Sequence, residues 1–180
     1  TLFLDIGANF GYYSIFVAGF GARRCISFEP QPDLINRINE NRLINNFLHK
    51  IDIAPFALGE FEGKVKLYIS KSGLGSSAIG RNIESYKSID VEQKTLKAAL
   101  HEFKENKADI IKIDVEGLED KILHPYFLNL EKEYLPSLII IENNAADWDV
   151  NIIEWLQQTG YEMIGKTRGN VFLAKKEEIK

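Results

Sequence analysis

Three short stretches of this sequence carry residue types whose spacing can do chemistry. The first is Asp5-Ile6-Gly7-Ala8-Asn9-Phe10-Gly11. An apolar run precedes it and a helical pattern follows, which is the setting a nucleotide-binding turn requires. Gly7 can adopt backbone angles that other residues avoid, and Gly11 lets a helix approach a sheet closely. The spacing is G-x-x-x-G, not the G-x-G-x-x-G of dinucleotide binders, and the Gly-Lys-Ser/Thr of a phosphate loop is missing. Ala8 and Asn9 fill the space where a pyrophosphate needs bare backbone. Asp5 repels phosphate and favours a cationic or amino-bearing ligand. A tight strand-to-helix turn without a ligand is the competing reading.

The second feature is Glu29, 24 residues after Asp5 at the end of a strand-like run. A carboxylate there can accept hydrogen bonds from both hydroxyls of a ribose. Nicotinamide and adenosyl-sulfonium cofactors both use this arrangement, and an exposed strand-end glutamate is the plain alternative. Pro30 fixes the strand exit and offers an apolar edge to an adenine. The third feature is Lys112-Ile113-Asp114-Val115-Glu116-Gly117-Leu118-Glu119. Three acids in six residues at a strand exit repel one another. As a group they can orient a cationic cofactor or take a proton from a hydroxyl. Favourable placement at a helix N-terminus explains Glu119 and Glu116 better than Asp114. Lys112 is expected on the opposite face, paired with a carboxylate.

The elements that must position these residues follow from periodicity. Leu2–Ile6, Arg24–Glu29, Ile51–Ala57, Asp109–Asp114 and Ser137–Glu142 read as buried strands. Tyr13, Phe16, Val17 and Phe20 mark the buried face of a helix that Gly19 and Gly21 end. Asp33 is the expected N-cap of a second helix reaching about Asn46, and Thr95 of a third reaching about Lys104. A fourth helix starts near Gly117. Trp148, Ile152 and Leu156 mark a fifth, closed by Gly160. Tyr161–Lys166 and Val171–Lys175 form a terminal hairpin. Gly63–Ser70 and Lys87–Gln93 form an inserted hairpin, with a glycine- and serine-rich loop over Ser72–Ala78 that can close over a substrate. Strands alternating with helices define an α/β fold, a mainly parallel sheet wrapped on both faces. Ligands of such sheets bind at the carboxyl ends of the strands, where the three features lie.

Composition narrows the function. The 180 residues carry 22 Lys and Arg against 26 Asp and Glu, a net charge of −4. That balance argues against a nucleic-acid partner. No apolar run approaches the ~20 residues of a membrane span. The single cysteine, Cys25, can form neither an internal disulfide nor a cysteine metal cluster, which places the chain in the cytoplasm by default. His49, His101 and His124 have no metal-ligand spacing. Asp114, Glu116 and Glu142 are an oxygen-only alternative for a divalent cation, although the expectation is that no metal is used. Without linkers or repeats the chain reads as one domain, residues 1–180. Its abrupt start on a strand reads as the loss of a natural N-terminal segment.

Taken together, Asp5-Ile6-Gly7-Ala8-Asn9-x-Gly11, Phe28-Glu29-Pro30, Ala57-Leu58-Gly59 and Lys112-Ile113-Asp114-Val115-Glu116-Gly117-x-Glu119 resemble the FkbM-type methyltransferases from Thr1 to about Val171. The resemblance implies a Rossmann-like, doubly wound seven-stranded sheet with an antiparallel C-terminal hairpin, and S-adenosyl-L-methionine as cofactor. It implies methyl transfer to a hydroxyl of a small molecule, sugar or glycan. By position, Asp5, Gly7, Ala8, Asn9, Phe10 and Gly11 would hold the methionine end of the cofactor. Glu29 would hold the ribose, and Ala57 would sit near the adenine, to which Pro30 offers its apolar edge. Asp114 and Glu116 would face the transferable methyl, Asp114 holding the cofactor or acceptor and Glu116 taking the proton. A nicotinamide-dependent oxidoreductase and a non-catalytic cofactor-binding module are the alternatives. The G-x-x-x-G turn and the lack of a Tyr-Lys hydride-site pair count against the first of these.

Overall fold

The computed structural model describes residues 1–70, 77–79, 86–143 and 148–176. Its main sheet has seven strands. The central strand β1 (Leu2–Ile6) is buried along its whole length because β2 (Arg24–Phe28) and β8 (Ile110–Ile113) both pair with it in parallel. Beyond them lie β3 (Ile51–Ala54) and β9 (Leu138–Glu142), also parallel. The C-terminal hairpin of β10 (Tyr161–Lys166) and β11 (Asn170–Lys175) completes the sheet, with β11 antiparallel between β9 and β10. The chain reverses direction across the sheet at β1, so the carboxyl ends of β1, β2 and β8 flank a crevice.

The third strand is shorter than its apolar run. Pro55 lacks the N–H a strand interior needs, and the chain leaves the main sheet after Ala54. Ala57 and Leu58 form β4 in a second sheet, paired with Gln93 and Lys94 of β7 (Tyr86–Lys94). The inserted hairpin is thus a four-stranded sheet, β4-β7-β5-β6, with β5 (Gly63–Ser70) antiparallel to both β7 and β6 (Ser77–Ile79). The loop expected over Ser72–Ala78 lies outside the described residues up to Ser76, and Ser77 and Ala78 begin β6.

Leu2, Leu4 and Ile6 of β1 join the larger core, covered by α3 (Leu96–Glu102), α4 (Glu119–Leu128) and α5 (Ile152–Gln158). Phe3 points the other way, to a smaller core under α1 (Tyr12–Gly19) and α2 (Pro32–Ile44). Thr95 caps α3 as expected, its hydroxyl accepting from the Ala98 N–H at 3.2 Å. Asp33 does not cap α2. Gln31 holds that position, Pro32 opens the helix with its preset φ, and Asp33 falls in the first turn. Trp148 precedes α5 rather than belonging to it, because Asn151 caps that helix.

The largest departure concerns α1. Its buried residues are Ser14 and Ala18, whereas Phe16 is 52 % and Phe20 80 % exposed. Small side chains let the helix lie close on the sheet. Asp5, fully buried on β1, accepts hydrogen bonds from the Ser14 N–H (3.0 Å) and hydroxyl (2.7 Å), and the Ser14 and Ser27 hydroxyls are 2.7 Å apart. This polar stack sets the helix rotation. Tyr13 and Val17 are left half-buried at the flank, while Tyr12, Phe16 and Phe20 form an outward row of neighbouring rings. Ser14→Ala should therefore destabilise the protein by about 1–3 kcal/mol, the cost of unsatisfying a buried acceptor. Phe16→Ser should cost less than about 0.5 kcal/mol, as an exposed site does. Urea unfolding of both variants checks this, and the opposite ranking would restore the aromatic face as the buried one.

Candidate active site

The crevice at the strand ends opens into a cavity of about 340 Å³. Gly7, Ala8, Asn9, Phe10, Glu29, Pro30, Ala57, Asp114 and Glu116 all line it. Asp5 and Gly11 lie behind its wall. Asp5 is sealed beneath the turn by Ser14, and the outer space at Gly11 faces Ile38 of α2.

The turn after β1 is built from left-handed backbone. Gly7, Asn9 and Gly11 have φ of 73°, 54° and 83°. The Gly7 and Ala8 N–H groups both donate to the Phe28 carbonyl, at 3.1 and 3.0 Å, which fastens the turn to the end of β2. A Cβ at Gly7 would lie 1.9 Å from the Asp114 carbonyl oxygen. Only glycine permits that approach, and it brings the acidic block against the turn.

Glu29 is 4 % exposed. Its Oε2 accepts from the Asn9 N–H and its Oε1 from the Gln31 N–H, each at 2.9 Å. The side chain is therefore structural as well as available: each oxygen keeps a lone pair, and the carboxylate borders the cavity. Burial pushes its pKa up to about 7, only partly offset by the two N–H donors.

The Asp114–Glu119 block is ordered from within. Glu119, fully buried, accepts from the Val115 N–H (2.9 Å) and Gly117 N–H (3.4 Å) through Oε1, and from the Trp148 indole N–H (2.7 Å) through Oε2. That clamp supports a left-handed pair, Glu116 at φ 59° and Gly117 at φ 97°. A non-glycine residue in this region is strained, and such strain collects at functional sites. Asp114 is half-buried and Glu116 is exposed at the rim. Burial, Asp114 and Glu119 all raise the pKa of Glu116.

Two polar residues of the site were not assigned to it from the sequence. Lys112 does pair with carboxylates, but on the site's own face, because residues two apart on a strand share a side. It is 3 % exposed, with Nζ 3.3 Å from both the Gly7 carbonyl and Asp114 Oδ2, 3.9 Å from Asp5 Oδ1 and 5.2 Å from the Tyr13 ring centre. Its spacing from Asp114 was the available signal. Glu142, read only as a possible cation ligand, also lines the cavity. Among the described residues, no three His, Cys, Asp or Glu side chains are arranged to hold a metal ion. The apolar end is formed by Phe56, Ala57, Leu58 and Leu67. Leu67 comes from the inserted sheet, and no local signal marks it.

The sequence profile of the Methyltransferase FkbM domain matches residues 5–163, which span every segment of this cavity. The chain belongs to this family. FkbM methyltransferases take S-adenosylmethionine as cofactor. Among solved structures, methyltransferase FkbM from Methylobacillus flagellatus KT matches with TM-score 0.60 and 15% identity, over 97% of this chain and 43% of that one. A putative tRNA (m1A22) methyltransferase from Streptococcus pneumoniae, in complex with S-adenosyl-L-methionine, matches with TM-score 0.56 and 15% identity, over 99% of this chain and 68% of that one. TrmK from M. capricolum, in complex with S-adenosyl-homocysteine, matches with TM-score 0.54 and 13% identity, over 97% and 60%. At these identities the likeness is one of fold. The chain spans less than half of the M. flagellatus FkbM protein. No curated protein matches the chain.

The FkbM cavity fits this cofactor in its donor set. Spare lone pairs on Glu29 suit a ribose, the Phe56–Leu58 wall suits an adenine, and the acidic rim suits a sulfonium cation. Gly7→Ala tests the turn that joins these parts. The added methyl must displace the Asp114 carbonyl and adopt left-handed backbone, so it should cost about 2 kcal/mol or more of stability. Thermal unfolding measures this, and an unshifted transition would show that the two segments do not depend on each other.

Proposed function

We propose that this FkbM domain transfers the methyl group of S-adenosylmethionine to a hydroxyl of a small molecule, sugar or glycan. One observation carries the reading: a buried strand-end carboxylate, a glycine-bearing turn and an acidic rim converge on one cavity. The bound cofactor supplies an electrophilic methyl on sulfur, so the protein's task is mainly alignment.

The chain's own residues divide that task. Gly7–Phe10 cradle the methionine end, with Asp5 and Lys112 supporting the turn from beneath. Glu29 takes the ribose and Ala57 borders the adenine. Asp114 and Glu116 face the acceptor side, where a carboxylate can draw the proton from a hydroxyl. An acidic rim and a net charge of −4 favour a small or carbohydrate acceptor over a polyanion. No helix among the described residues is long and apolar enough to cross a membrane. With one buried, unpaired cysteine the chain needs no oxidising compartment, and we place it in the cytoplasm.

Calorimetric titration with S-adenosylhomocysteine and with NAD tests the reading: the first should bind and the second should not. Glu29→Ala should weaken S-adenosylhomocysteine by roughly 1.5–3 kcal/mol, the range for charged hydrogen bonds, and should also loosen the turn that Glu29 fastens. NAD binding in preference would replace the methyltransferase reading with the oxidoreductase one.

The sign of the pH effect follows from Glu29. Hydroxyl donors favour its ionised form, so binding lowers a pKa that stands at about 7 in the free protein and expels a proton. Affinity should rise as pH increases from 6 to 8 and level off above. Titrations at several pH values check this, and a flat profile would remove the ribose contact from Glu29.

A further inference from the structure

Glu142 closes β9, beside the exit of β8, because Ile141 is in register with Ile113. It lines the same cavity as Asp114, at the end of the adjacent strand. The two acids are not equivalent. Asp114 has the Lys112 ammonium 3.3 Å away. Glu142 has no cation among the described residues, and its Oε2 is buried with no donor reaching it.

The other groups around Glu142 all act in one direction. Asp114 and Glu116, at the β8 exit, and Glu119, at the start of α4, oppose its ionisation. Across the sheet, its β11 partner Asn170 is uncharged. Lys112 is engaged by Gly7, Asp5 and Asp114. Burial and these neighbours push the pKa of Glu142 up to about 7, so a proton sits on it for part of the time at neutral pH.

We propose that Asp114 and Glu142 form a charge-compensating pair: a proton leaves Glu142 when the sulfonium cation enters the cavity, and the acceptor's proton lodges there when methyl transfer abolishes that cation. This rests on the methyltransferase reading above. It differs from the sequence expectation in making Glu142, rather than the exposed Glu116, the resting place of the proton. The balance closes. An oxygen lone pair of the acceptor forms the new C–O bond, and the C–S bonding electrons remain on sulfur. The O–H bond breaks, and its proton goes to Glu142. Before the step the site holds two carboxylates and one cation. Afterwards it holds one carboxylate, one carboxylic acid and a neutral thioether. The net charge is the same before and after the step. The pair thereby distinguishes cofactor from product, which differ in that one charge.

The test compares S-adenosylmethionine with S-adenosylhomocysteine by calorimetry at pH 6.5, in two buffers of different ionisation enthalpy. The proton that Glu29 releases is common to both ligands and cancels. S-adenosylmethionine should expel an additional large fraction of one proton. Its preference over S-adenosylhomocysteine should grow roughly fivefold to tenfold between pH 6 and pH 8, because the sulfonium cation favours the ionised form of Glu142. Glu142→Gln should bind both ligands and abolish the difference, while Glu142→Asp should retain it. Equal proton counts in the unmodified protein, or a difference that survives in Glu142→Gln, would overturn the pair. A difference that depends on added Mg²⁺ would also overturn it, making these acids a cation site. If neither ligand binds, the cofactor reading itself fails.

Discussion

Backbone packs against backbone at the centre of this fold: the Gly7 turn lies so close to the Asp114 carbonyl that no side chain fits between them. Most of the site follows from that approach. The turn is fastened to β2 through the Phe28 carbonyl and to Glu29 through the Asn9 N–H. The acidic block is fastened to the turn. Residues 7, 29 and 114, distant in sequence, are therefore held around one cavity by main-chain contacts together with the buried carboxylates of Glu29 and Glu119.

The same approach concentrates charge. Among the described residues, Lys112 is the one buried cation at this site, which Asp5, Glu29, Asp114 and Glu142 share. Lys112 is engaged by the Gly7 carbonyl, Asp5 and Asp114, and its charge offsets only part of the burial cost at Glu29. Burial raises Glu29 and Glu142 to about 7, since desolvation penalises the charged form. A site with this imbalance favours ligands that bring hydroxyl donors and positive charge, and S-adenosylmethionine brings both.

Much of this was legible before the structure. The apolar run of β1 ends at the Gly7 turn, and those of β2 and β8 end at Glu29 and Asp114, all of which line the crevice, so strand ends and candidate residues were found together. What was hidden depended on contacts between distant segments. Hydrophobic periodicity assigned Phe16 and Phe20 to the buried side of α1, but the helix lies too near the sheet for rings, and Ser14 and Ala18 take that side. Lys112 was sent to the wrong face although its spacing from Asp114 placed it correctly. Pro55 in the Ile51–Ala57 run announced the break after Ala54, yet not that Ala57 would join a second sheet. Glu142 was grouped at adjacent strand ends with Asp114 and Glu116, as a possible cation ligand, whereas Leu67 acquires its place only from the inserted sheet, which single-residue patterns do not encode.

The central claim is that the Gly7 turn, the Glu29 exit and the Asp114 block form one cofactor cradle. Amide hydrogen exchange with and without S-adenosylhomocysteine tests it most directly. Protection should appear together in the segments around residues 7–11, 29–31 and 114–117. Binding that leaves those three segments unchanged, or protects only the outer aromatic row of α1, would contradict it.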